Sequence, residues 1–124
     1  MFKYRSLRKY KYQLIEAYQI QTGIIPERNI YTDFIDLSDT GTLSIKSLYA
    51  WDGASGAIDT DTIMEASLVH DAFCQLIAEG RLDKSYRKQA DKLLRDLCII
   101  NGMCALRAWS VYHAVRLFVK VKYK

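Results

Sequence analysis

The feature that most constrains this chain is a change of hydrophobic period at Trp51. Before it, apolar residues alternate as they do in strands. After it, they recur every three to four residues, as they do in helices. The stretch "YTDFIDLSDTGTLSIKSLYAW" (31–51) holds two alternating runs separated by "SDTG", whose turn formers mark a hairpin. The stretch "YQLIEAYQI" (12–20) is rich in β-formers, but its alternation is imperfect. The single proline, Pro26, lies in a connection with Gly23.

The helical regime opens near residue 59. Asp59, Asp61 and Thr62 are candidate N-caps, and Thr62 with Glu65 fits a capping box. Ile63, Ala66, His70, Phe73 and Ile77 recur on one face, and Gly80 ends the run. Asp83 or Ser85 can cap a second helix, striped by Tyr86, Ala90, Leu93, Leu94, Leu97 and Cys98 and stopped by "NG" at 101–102. A third helix, about 103–119, is apolar on most sides and is therefore expected to be the most buried. The expected class is α+β in one domain, 1–124. A small antiparallel sheet with a hairpin (about 9–51) precedes three packed helices (about 59–119), the first two antiparallel neighbours.

Half of the residues are apolar, enough to build a core without metal or disulfide staples. Cys74, Cys98 and Cys104 show no metal-ligand spacing and lie in apolar runs, so buried thiols in a reducing compartment are expected. No run reaches the roughly 18 to 20 apolar residues of a membrane span. The basic N-terminus lacks the apolar core of a secretory signal, so no signal peptide is expected. Net charge is +4, with basic residues gathered at both ends. Arg5, Arg8 and Lys9 interleave with Tyr4, Tyr10 and Tyr12. That pattern suits weak binding of nucleic acid or an anionic surface, and equally a lysine-protected edge strand.

The candidate chemistry centres on "HD" at 70–71. His70 falls on the apolar stripe, where an imidazole needs a hydrogen-bond partner. Asp91 is placed to be that partner: the midpoint of 70 and 91 falls at the Gly80–Arg81 turn, as facing positions of a helical hairpin require. A neutral imidazole fixed by a carboxylate is what a general base needs. Asp71 points to another flank. Beside "WDGASG", with Asp52 as a second carboxylate and Gly53 and Gly56 permitting sharp turns, it suits a hard cation such as calcium. The bland alternatives are a satisfied core histidine, Asp91 paired with Arg87 or Arg95 four residues away, a turn-capping Asp52 and a solvated Asp71. Arg116 is a candidate partner of Asp52 or Asp91, and His113 a core or partner histidine.

The run "DGAS … HDAFC … AD" resembles the active-site region of the secreted phospholipase A-two superfamily, most closely its short bacterial and fungal branch. The resemblance implies His70 as base, Asp91 as its orienter, and Asp71, Asp52 and Gly53 as a calcium site. Ala54 and Ser67 stand where that family ties its loop to the helix by a disulfide. Over more of the chain, the succession of strands, "DGAS", "HD", "RKQAD" and "YHAVRLF" resembles the phage- and prophage-associated domain-of-unknown-function family 1353. The matching positions are Asp52 to Ser55, His70 and Asp71, Arg87 to Asp91, and Ala114 to Arg116. Ser55 and Arg116 thereby join the site as supporting residues, while Gly56 and Ala57 stand where a proline often follows. This second resemblance implies a phage or prophage origin. The expectation is a phage-encoded, calcium-assisted ester hydrolase in the host cytoplasm or virion. The alternatives are a non-enzymatic virion or assembly component, and a protein that binds a host factor or nucleic acid.

Overall fold

A computed structural model describes residues 2–7, 12–52 and 61–122. Arg8, Lys9, Tyr10, Gly53, Ser55, Gly56 and Asp59, all named above, lie outside the described residues. The chain is α+β. Seven strands come first: β1 (Tyr4–Ser6), β2 (Tyr12–Leu14), β3 (Tyr18–Gln21), β4 (Ile30–Tyr31), β5 (Ile35–Leu37), β6 (Thr42–Ile45) and β7 (Ala50–Trp51). The helices α1 (Asp61–Ala78), α2 (Arg87–Ile100) and α3 (Ala105–Lys122) follow, with a short 3-10 turn, Lys84–Tyr86, ahead of α2.

The expected hairpin is β5–β6. Leu37 pairs with Leu43, the Ser38 N–H donates to Thr42 O at 2.9 Å, and the Gly41 N–H donates to Ser38 O at 3.0 Å. Gly41 sits at φ +88°, which the tight turn requires. Along β6 the apolar residues Leu43 and Ile45 point into the core and Thr42 and Ser44 away from it.

One small sheet was expected; there are two, and the strands begin at Tyr4 rather than near residue 9. The orders are β1-β2-β7 and β3-β6-β5-β4, all antiparallel. The break falls inside "YQLIEAYQI". Leu14 and Tyr18 are buried in different sheets, and Ile15, Glu16 and Ala17 between them are exposed. The imperfect alternation was the trace of this crossing.

Thr62 lies inside α1, one residue after its start, and the Glu65 carboxylate accepts the Tyr18 hydroxyl and, at 2.9 Å, Asn101 Nδ2–H. Both helix stops hold. The Gly80 N–H reaches Ile77 O at 3.0 Å and the Arg81 N–H reaches Leu76 O at 2.9 Å, with Gly80 at φ +74°. Gly102 and Met103 repeat the pattern on Ile99 and Cys98. Each is a Schellman closure, which satisfies the last carbonyls and turns the chain back.

The core joins Leu14, Ile35, Leu37, Leu43 and Ile45 of the sheets to Ile63, Leu68, Phe73 and Leu76 of α1. The most buried helix is therefore α1, not α3 as expected: the run from Ala66 to His70 is buried without interruption. α3 packs on α2 through Ala108, Val111 and Tyr112, and leaves Leu106, Trp109 and Leu117 exposed. All three cysteines are thiols, but only Cys98 is fully buried; Cys74 is half-buried and Cys104 exposed. No described helix is long and apolar enough to cross a membrane.

Candidate functional site

The site is built where α1 and α2 face each other. His70 Nε2 lies 2.5 Å from Asp91 Oδ1, across the Gly80 turn that separates them in sequence. Asp91 is fully buried. Arg87 Nε–H donates to the same Oδ1 at 2.9 Å, and Arg116 Nη1–H, from α3, donates to Oδ2 at 2.8 Å. Arg87 had stood as an alternative to His70; both bind at once. Arg95, the other alternative, pairs with Asp96 instead. Of the two partners considered for Arg116, the geometry gives Asp91.

The chemistry of the carboxylate follows from these contacts. Burial alone would push the Asp91 carboxyl up, but the bonds and charges of His70 and Arg87 outweigh it and hold it below the ordinary value. A carboxylate can only accept, so His70 Nε2 carries the hydrogen. In the neutral ring Nδ1 is then the acceptor. That is the tautomer a general base requires.

Cys74 lies one turn on from His70, with Sγ 3.7 Å from Nδ1 and 4.0 Å from Nε2. A thiol on the in-plane lone pair of one ring nitrogen would stand much farther from the other. The sulfur therefore sits over the ring face and packs rather than hydrogen-bonds.

The second wall comes from the strands. β7 ends at Trp51, whose indole Nε1–H donates to Ser67 Oγ at 2.9 Å. Ser67 in turn donates to Met64 O at 2.8 Å. This buried relay pins the end of β7 to α1. One residue later, the Asp52 N–H donates to Asp71 Oδ2 at 3.3 Å. The Asp52 backbone and the Asp71 carboxylate thus meet, and Asp71 lies beside the start of the "WDGASG" stretch.

Tyr49 joins them. Its hydroxyl donates to Gln75 Oε1 at 2.9 Å. Burial pushes its phenol above the usual range, and the charges of Asp71, Cys74, Glu79 and Asp52 push it further. Nothing in the sequence singled Tyr49 out; it enters only because β7 pairs with β2 and lies along α1.

The oxygen donors of Asp52 and Asp71 fit a hard cation in kind. Among the described residues no group of three or more His, Cys, Asp or Glu is gathered as a metal site, so these two are what the described chain contributes. Gly53 and Ser55 lie outside it.

The basic N-terminal stretch is only partly described. Arg5 Nε–H donates to Gln13 Oε1 at 2.9 Å. The Tyr4 and Tyr12 rings, candidates for stacking on bases, instead pack 5.9 Å from each other and 5.9 and 5.8 Å from Trp51. A groove of about 570 Å³, lined by Pro26, Ile30, Tyr31, Arg81, Leu82 and Tyr86 among others, lies at the other end of α1 and includes none of the site residues.

No family model matches the chain, and no curated protein or solved structure shows significant similarity to it.

Proposed function

We propose that this protein is a small, phage-encoded ester hydrolase in which His70 is the general base. The observation that carries the reading is the 2.5 Å contact of His70 Nε2 with the buried Asp91 carboxylate, which leaves Nδ1 as the proton acceptor. In this scheme His70 Nδ1 takes a proton from water as the water attacks an ester carbonyl. Asp91 fixes the ring and balances the imidazolium that forms, and Arg87 and Arg116 hold Asp91. Asp71 and Asp52 would hold a calcium ion. Such an ion, when bound, supplies Lewis-acid polarisation of the carbonyl.

The test has two arms on the full chain. Hydrolysis of a series of nitrophenyl esters is measured with and without millimolar calcium, for the wild type and His70→Asn. Turnover by the wild type that His70→Asn abolishes supports the reading; turnover that survives, or none at all, rejects it. Thermal unfolding is then followed against calcium. A rise in Tm that Asp71→Asn removes supports the cation site, and a Tm indifferent to calcium removes it from the scheme.

One observation favours a second reading, a non-enzymatic phage virion or assembly component. Asp91 is fully buried and saturated by donors from α1, α2 and α3, so the network is complete as a structural pin. That reading expects no turnover and a large stability loss when Asp91 is changed.

A further inference from the structure

The outer face of α3 is the largest departure from what the sequence led one to expect. Leu106 is 80 % exposed, Leu117 63 % and Trp109 45 %; at the neighbouring end of α2, Ile100 is 75 % exposed and Ile99 41 %. Three of these five share one helix and the other two precede it closely in the chain, and exposed apolar clusters of this kind on a monomer mark interaction sites.

We infer that this face is covered by a second copy of the chain, in a two-fold dimer in which α3 packs antiparallel on the partner's α3. The pattern of the exposed residues is self-complementary. Leu106, Ser110, His113 and Leu117 recur at spacings of four, three and four, the seam of two packed helices, with Trp109 on its flank. A two-fold axis passing between Val111 and Tyr112 sets Leu106 opposite the partner's Leu117. The same axis sets Ser110 opposite the partner's His113, hydroxyl against imidazole, and brings the Trp109 rings of both copies to the same flank of the seam. Every one of these side chains is exposed in the single chain. The Trp109 ring is already held from behind, by the Arg95 guanidinium 4.6 Å from its centre and by Tyr112 at 5.6 Å.

Size and charge favour a second copy over a lipid surface. The five exposed apolar side chains present at most roughly 600 Å² per copy, which if covered on both copies reaches the lower end of a standard interface. Among the described side chains of α3, 105 to 117, the exposed positions are Ala105, Leu106, Trp109, Ser110, His113, Ala114 and Leu117, none of them charged, while Arg107 and Arg116 are half-buried. A helix that lies on anionic lipid presents Lys and Arg around its apolar face, whereas the centre of a protein interface is depleted of charge.

Sedimentation and light scattering of the full chain test this, under reductant because Cys104 is exposed. The wild type is expected at twice the chain mass of 14.3 kDa at micromolar concentration, dissociating on dilution. Leu106→Glu and Leu117→Lys, each at an exposed position, are expected to give monomers with unchanged circular dichroism, and with a Tm that no longer depends on protein concentration. The double variant L106E/L117K is expected to regain the dimer, because the two new charges then face each other across the axis. A wild type monomeric at all concentrations, a dimer that Leu106→Glu leaves intact, or a double variant that stays monomeric would each overturn the inference. So would a monomeric wild type that co-sediments with phosphatidylglycerol vesicles while Leu106→Glu does not, which would assign the face to lipid.

Discussion

Arg116 on α3 donates to Asp91 Oδ2 at 2.8 Å, while Oδ1 of the same carboxylate holds His70 of α1. One buried side chain therefore ties the three helices together and fixes the only imidazole in the core. Removing its charge takes from Arg87 and Arg116 the buried carboxylate that both of them bind. Asp91→Asn is expected to cost about 3 to 5 kcal/mol, the usual penalty for breaking a buried ion pair from one side. Urea denaturation measures it, and a loss within 1 kcal/mol of zero would show that the network does not hold the fold. Arg116→Gln should cost less, about 1 to 2 kcal/mol, because His70 and Arg87 still satisfy the carboxylate.

The same carboxylate gives a pH dependence of known sign. Its folded pKa lies below the unfolded value, so the unfolded state binds the proton more readily. The stabilisation is complete above the unfolded pKa of about 4 and is lost as pH falls through the lower, folded pKa. Unfolding free energies followed downward from pH 6 should decline more steeply for the wild type than for Asp91→Asn, and the two curves should converge in acid. Parallel curves would mean that Asp91 is not the group responsible.

Two glycines separate backbone strain from steric crowding. Both Gly80 and Gly41 have positive φ, +74° and +88°. A Cβ at Gly80 meets nothing within 4 Å, whereas at Gly41 it meets Ile25 Cδ1 at 3.0 Å and Ile24 O at 3.2 Å. Gly80→Ala should cost only the left-handed penalty, about 1 to 2 kcal/mol. Gly41→Ala should cost more, since backbone at Ile24 must also move. Thermal unfolding of the two variants gives the order directly, and equal losses would contradict it.

Much of this site was legible because helical hairpins obey a simple symmetry. His70 and Asp91 are equidistant from the Gly80–Arg81 turn, and a glycine closure makes that turn tight enough for the symmetry to hold. Arg87 was legible only as an i−4 neighbour of Asp91. That it binds together with His70 depends on how deep the carboxylate is buried, which spacing does not encode. The two-sheet split left only the imperfect alternation of residues 12–20 as its trace: strands of two to four residues are too short for alternation to say which sheet each joins. The exposure of α3 was misjudged for a different reason. An apolar helix reports that its surface is to be covered, but not whether its own chain covers it.

The Trp51–Ser67 bond is what sets Asp52 beside Asp71, and its loss should be felt at both levels. Ser67 is buried, and Trp51 Nε1–H has Ser67 Oγ at 2.9 Å as its acceptor. Ser67→Ala leaves that buried donor unsatisfied, at an expected cost of about 1 to 3 kcal/mol. The end of β7 then keeps its pairings, Tyr12 with Trp51 and Gln13 with Ala50, and the Tyr4 and Tyr12 rings against Trp51, but loses its pin to α1. Asp52 follows immediately, so its contact with Asp71 should loosen with it. The variant is therefore expected to lose stability and, if Asp52 and Asp71 hold calcium, to show a smaller rise in Tm at a given calcium concentration than the wild type. Tryptophan fluorescence should report the freed indole, with Trp109→Phe as background to isolate Trp51. A Ser67→Ala protein with unchanged stability and unchanged Trp51 emission would show that packing alone holds the end of β7 against α1.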